Sequence, residues 1–364
     1  MSQILLEPAV WAGGSINAPT RRFAMDEFSR LVEEDVVDYI VSGDWEFASG
    51  WITPRQRSTF GLKGMHQTNN AVLGLGFDGS FPEYRFDHEE AGGGLVISPV
   101  ILGYYGEALA TVPHKQRLEE QYKVELDYQA GIIYPGDLAR MTLGEGWVAN
   151  RDLFQSFINP TTSELNSILQ LYGNENVVVS LEMPATTLTL YATAPELQAE
   201  RAEQLAQEIA HVLSQLPKGI RVKFHICFGD LEGESWLIRM LRQKLDLRGV
   251  VKLANAIAAV ERDGWTLEGI QIPMTTGDAP IFSPGESRQI FSALEGLVRG
   301  PRIYAGVVQP GKSLDYNRSR LQLARDIYGE PFAAVGTPCG WARTSEVIQS
   351  EVIGQLVTIA KSSA

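Results

Sequence analysis

The chain has 364 residues, 44% of them apolar and 21% charged, with a net charge of −13. That balance fits a globular, soluble fold and disfavours a nucleic-acid surface, and no apolar run approaches the roughly 18–20 residues of a membrane span. Two cysteines, Cys227 and Cys339, lie too far apart in too long a chain to form a disulfide scaffold. The N-terminus lacks a basic region followed by an apolar stretch, so the cytoplasm is the expected compartment.

Taken in chain order, a first helix is expected over residues 25–42. A loop-rich region follows, carrying Trp45, Trp51 and the run Gly92-Gly93-Gly94. Residues 1–115 thus read as the first barrel units with an insertion, either a cap over one face or a homodimer contact. Residues 116–129 have helical spacing and 130–135 read as a short strand. Residues 176–184 form a β-run closed by Pro184. A helix is expected over 195–216, opened by proline and ended at Pro217-Lys218-Gly219. A strand over 220–227 comes next, then helices over 234–245 and 250–262. Strands are expected over 267–272, 302–308 and 332–336, and helices over 286–298, 317–328 and 345–361. Repeated strand–helix units argue for a parallel sheet with helices outside, and their number favours one closed (β/α)8 TIM barrel spanning 1–364.

The strand 220–227 places His225 and Cys227 on one face, because alternate residues of a strand point the same way. Cys339 follows another strand end. In such a barrel, functional groups come from the C-terminal ends of strands and the loops after them. An imidazole and two thiols meeting there form a zinc-ligand set with room for a fourth partner. Against this stands the plain alternative that a buried cysteine is a small apolar filler.

The segment His225-Ile226-Cys227-Phe228-Gly229-Asp230 resembles the His-x-Cys-x-Gly-Asn/Asp segment of the cobalamin-independent methionine synthase family. Ala305-Gly306-Val307-Val308 and Pro338-Cys339-Gly340 are similar to that family's closing Gly-Val-Val … Pro-x-Cys-Gly pattern, in the same order and with a helix between. The resemblance covers roughly residues 175–345. It implies a (β/α)8 barrel, Zn2+ on His225, Cys227 and Cys339, and transfer of a methyl or other alkyl group to a thiol. The chain would correspond to that enzyme's C-terminal catalytic barrel. Its expected partners are a small-molecule thiol and an alkyl donor, with no nucleic acid and no membrane.

Several family features are replaced. Methionine synthases add a glutamate ligand on the strand after His-x-Cys, whereas Gly269-Ile270-Gln271-Ile272-Pro273-Met274 ends without an acid and Glu268 stands at its beginning. Val308-Gln309-Pro310-Gly311-Lys312 occupies the place of an acid-catalyst motif, and Gly13-Gly14-Ser15-Ile16 only echoes the opening signature. A three-ligand site is similar to relatives that alkylate other thiols, such as those acting on coenzyme M. Gln309, Lys312, Arg318 and Arg343 are then candidate substrate-binding residues, with Glu182 at the end of its strand for a substrate amine or water. Asp230 is a candidate partner orienting His225, or a helix cap. The rival readings are a metal-free barrel of the uroporphyrinogen-decarboxylase type and a non-catalytic descendant that binds metal or thiol. His66, His88 and His114, in the N-terminal third, read as structural.

Overall fold

The computed structural model describes residues 9–11, 21–41, 62–63, 65–71, 82–91, 95–144, 151–231, 234–235, 246–274, 284–339 and 346–362. Its strands are β1 (Ala9–Trp11), β2 (Tyr39–Val41), β3 (Met65–Ala71), β4 (Pro82–Phe86), β5 (Asp127–Ile133) and β6 (Val177–Glu182). They continue as β7 (Ile220–His225), β8 (Asp230–Leu231), β9 (Glu234–Ser235), β10 (Trp265–Pro273), β11 (Ile303–Gly306) and β12 (Ala334–Gly336). Eight of them make one sheet in the order β1-β12-β11-β10-β7-β6-β5-β2. Every ladder in it is parallel.

The first described strand, β1, therefore pairs with the last, β12, and β2 forms the other edge of the sheet. The sheet is also rolled. Lys223 on β7 lies 3.9 Å over the ring of Tyr39 on β2, although β6 and β5 separate the two strands in the sheet. Such a contact is made only across an enclosed interior. The expected (β/α)8 barrel is the architecture found.

Helices cover the outside because their apolar residues recur at helical spacing. In Gln198–Leu213 the buried stripe is Ala202, Leu205, Ala206, Ile209 and Val212. In Arg248–Ala259 it is Val250, Val251, Leu253, Ala254 and Ile257. These stripes pack on the outward side chains of the strands, including the buried Val222 and Phe224 of β7. Each such side chain contributes roughly 1.5–3 kcal/mol.

Several elements differ from the sequence expectation. The first helix, Arg21–Glu33, stops early, with Asp35 in the left-handed region at φ 54°, and Tyr39–Val41 is a strand. Helix Tyr104–Tyr122 ends at Lys123, also left-handed, so that 127–129 belong to β5. Helix Arg151–Tyr172 went unforeseen because Pro160 lies inside it, and a mid-helix proline reads locally as a breaker. Pro135–Leu143 and Pro184–Ala192 also went unforeseen, although each begins on a proline suited to a first turn. Glu234 and Ser235, expected in a helix, pair as β9 with β8. Residues 236–245 lie outside the described set, as do Trp45, Trp51, Gly92, Gly93, Gly94 and Arg343. Within the N-terminal third, β3 and β4 form an antiparallel hairpin, and His66 on it pairs with Glu90 at the surface.

The barrel interior is polar at three levels. At the N-terminal ends of the strands, Arg221 pairs with Asp127 at 2.6 Å and Glu268 at 3.2 Å, while Arg302 meets Glu268 at 2.8 Å. Glu268 reaches both arginines from the irregularity where the β10 register shifts between Leu267 and Gly269. Above this floor lies Lys223, and His225 with Glu182 forms the top level.

Candidate metal centre

β7 ends at His225, and Cys227 lies two residues beyond it. Ile226 and Phe228 alternate to the opposite, apolar side and are buried there. Cys339 comes from the turn after β12. The structure gathers the three as the sequence predicts, for the ligand atoms of His225, Cys227 and Cys339 all lie within 4.8 Å of one another. His225 and Cys227 are buried and Cys339 is partly so.

The Cys339 turn is fixed from below. Gln271 on β10 is the register partner of His225, and its Nε2 donates to the carbonyls of Thr337 (3.0 Å) and Pro338 (3.3 Å). Thr337 Oγ1 then donates to the Cys339 carbonyl at 2.5 Å. Gly306 makes this reach possible. A Cβ there would stand 2.5 Å from Gln271 Nε2 and 3.0 Å from Pro338 Cα, so any side chain would push the turn away. The backbone amides of Val307 and Val308 both donate to the Gly336 carbonyl at 2.9 Å, tying the end of β12 to the same place.

His225 is held from its other neighbour. Its Nε2 lies 3.1 Å from Oε2 of Glu182, the register partner on β6. A carboxylate on one ring nitrogen is the usual means of fixing the orientation and tautomer of a metal-binding histidine. Burial disfavours the imidazolium, yet the Glu182 carboxylate and the Cys339 sulfur outweigh it and raise the His225 pKa. A hydrogen bond with Cys339, together with burial, pushes the Cys227 thiol well up.

Glu182 is itself followed by a braced helix. Pro184–Ala192 begins where the Asp137 carboxylate accepts from the amides of Ala185 (2.6 Å) and Thr186 (2.9 Å) and from Thr186 Oγ1 (2.5 Å). Arg140 stands 4.0 Å from Asp137 and 2.7 Å from Glu208, and Tyr134 donates to Glu208 at 2.9 Å. These residues lie on helices around the barrel mouth, where short spacing rules do not connect them.

The remaining predicted residues are placed as follows. Gln309 is buried after β11, its backbone clasped by Asn317 (amide to Oδ1, 3.0 Å), which in turn donates to Gln355 at 2.7 Å. Lys312 is half-buried, and its carbonyl accepts from Gln355 at 2.8 Å. Asp230 pairs through β8 with Ser235, and its side chain lies outside the described set. Sequence reasoning gave no role to Gln271, Ser180 or Lys223. The available signal was a polar residue at alternate positions of an otherwise apolar strand, aligned with His225 or Glu182.

The donor set suits zinc. Neutral imidazole with two thiolates is a common zinc shell, and bonds of about 2.3 Å to sulfur and 2.0–2.1 Å to nitrogen keep donors roughly 3.5–3.8 Å apart. The observed 4.8 Å envelope is about 1 Å wider than that spacing.

No family model matches the sequence, and no curated protein matches it. Among solved structures, a B12-independent methionine synthase from Shewanella sp. W3-18-1 is similar at 13% identity and a TM-score of 0.47. That match covers 69% of this chain and 65% of the other, so this chain spans less than two thirds of it. A putative vitamin-B12-independent methionine synthase from Listeria monocytogenes is 14% identical, covers 98% of each chain and has a TM-score of 0.48. A methyltransferase from Methanosarcina mazei is 11% identical over 97% of this chain and 94% of that one, with a TM-score of 0.47. Likenesses of this degree assign no activity.

Proposed function

We propose that this protein is a zinc-dependent transferase that moves a methyl or other alkyl group onto a thiol. The observation that carries the reading is the convergence of His225, Cys227 and Cys339 at the C-terminal mouth of the barrel. Zinc bound there would supply activation of the acceptor, since a coordinated thiol is held as thiolate at neutral pH and three protein ligands leave one position for it.

The protein's own residues do the rest. His225 at the end of β7, Cys227 just beyond it, and Cys339, on the turn that Gln271 ties down, bind the ion. Glu182 holds the His225 ring and is a carboxylate able to take the proton that the incoming thiol releases. Burial of His225 and Cys227 keeps water from the site, which strengthens every charge interaction there. A homodimer and a cytoplasmic setting belong to the same reading.

Elemental analysis of purified wild type beside Cys339→Ser tests it first. About one zinc per chain in the wild type, lost in the variant, followed by alkylation of a thiol from a panel of donors, is the expected result. No zinc in folded wild type, even after incubation with the metal, removes the reading.

A further inference from the structure

Arg320, on helix Leu314–Tyr328, is 5% exposed and reaches the C-terminal end of β10. Its Nη2 donates to the Met274 carbonyl at 2.8 Å, and its Nη1 to Ser287 Oγ at 3.1 Å. The guanidinium stands 4.8 Å from the ring centre of Phe291 and 5.6 Å from that of Tyr316. Its Nε is buried without a hydrogen-bond partner. Among the described residues no carboxylate pairs with this charge. Burial lowers the Arg320 pKa, and the Tyr316 phenol is the one described group that opposes the shift.

Ser287 is the fourth residue of helix Pro284–Phe291 and is likewise 5% exposed. Because it accepts from Arg320, its hydroxyl keeps its own proton to donate onward. The amides of a first helical turn have no partner within their helix and favour negative charge. A guanidinium, a hydroxyl and a helix N-terminus therefore converge between two helices, all of them donors. They do so at the barrel face where functional loops lie. The Met274 amide donates to the Gly306 carbonyl at 2.8 Å, which fixes this corner to the ends of β10 and β11.

A structural role accounts for part of this. Holding the Met274 carbonyl needs one donor, and a neutral amide would serve as well. It leaves unexplained a full positive charge, buried with no counter-charge among the described residues, which is costly. An oxyanion at the helix N-terminus removes that cost. Donors on several sides suit the tetrahedral oxygens of a phosphate group better than a planar carboxylate, and helix N-termini commonly take that group. We infer that the first turn of Pro284–Phe291, with Ser287 and Arg320, is a phosphate-binding site. It does not depend on the thiol-transfer reading, because neither residue belongs to the metal centre. The phosphate group has two sources, the free ion and a phosphomonoester.

Calorimetric titration of the purified full chain with inorganic phosphate and with glycerol 3-phosphate, at matched ionic strength in chloride, tests the site. Wild type should bind at least one of them saturably, and the tighter of the two identifies the source. Arg320→Gln keeps a donor for Met274 and removes the charge, so affinity should fall about 10–100-fold. Ser287→Ala should weaken binding several-fold. Cys339→Ser should leave it unchanged, which separates the site from the metal centre. Ser287→Asp puts a carboxylate against the guanidinium in a first helical turn. It should raise the melting temperature and abolish phosphate binding, and it decides the matter if Arg320→Gln fails to fold. The inference is overturned by absence of saturable binding to wild type, or by unweakened binding in folded Arg320→Gln. Binding that survives in Ser287→Asp, or that is lost in Cys339→Ser, overturns it equally.

Discussion

Nε2 of His225 and Oε2 of Glu182 lie 3.1 Å apart, with both side chains almost wholly buried. They sit on neighbouring strands as register partners, so the contact is built into the pairing of β6 with β7. Glu182→Gln keeps the volume and removes the charge that anchors the ring. Zinc affinity should fall about 10–100-fold with the fold unchanged. Competition with a chromophoric chelator measures this, and an unaltered affinity would separate Glu182 from the metal.

Gln271 makes a second prediction, because it links the β10 level of His225 to the carbonyls of Thr337 and Pro338, just before Cys339. Gln271→Leu should broaden and weaken the visible bands of the cobalt-substituted protein and speed zinc loss, while circular dichroism stays native. Gly306→Ala should act through the same turn, costing about 1–3 kcal/mol by overpacking. Wild-type cobalt spectra in both variants would show that the turn is set elsewhere.

At the opposite end of the barrel, Glu268 joins Arg221 and Arg302. Partial burial would raise its pKa, but Arg221 and Arg302 win and hold it below the usual value. A depressed folded pKa gives stability that is present above the unfolded value near 4.3 and disappears as the pH falls through the folded one. Glu268→Gln should therefore cost about 1–3 kcal/mol at pH 7, with the two proteins converging below about pH 4. Urea titrations across that range test the convergence, and a constant difference at low pH would refute it.

Asp137 supports the start of helix Pro184–Ala192 from another helix. Asp137→Ala leaves two buried amides short of an acceptor and removes the carboxylate facing Arg140, a loss of about 2–4 kcal/mol. Because only Met183 separates Glu182 from that helix, zinc affinity should drop as well. Chemical denaturation and metal competition on one preparation check both, and a stable, tight-binding variant would disprove the coupling.

The sequence by itself determined the barrel and the three metal-binding candidates. Strand and helix periods are local properties, and His225 and Cys227 share a face through simple alternation. It misjudged Arg151–Tyr172 because Pro160 is tolerated inside a long helix once tertiary packing supplies what the lost hydrogen bond does not. Only the tertiary structure decided that Cys339 meets His225, since 114 residues separate them and the closing turn depends on Gln271 and a missing side chain at Gly306. It also decided that Glu182 faces the imidazole and that Lys223 lies beneath it. Those relations come from register between strands distant in sequence, which no local pattern of residues encodes.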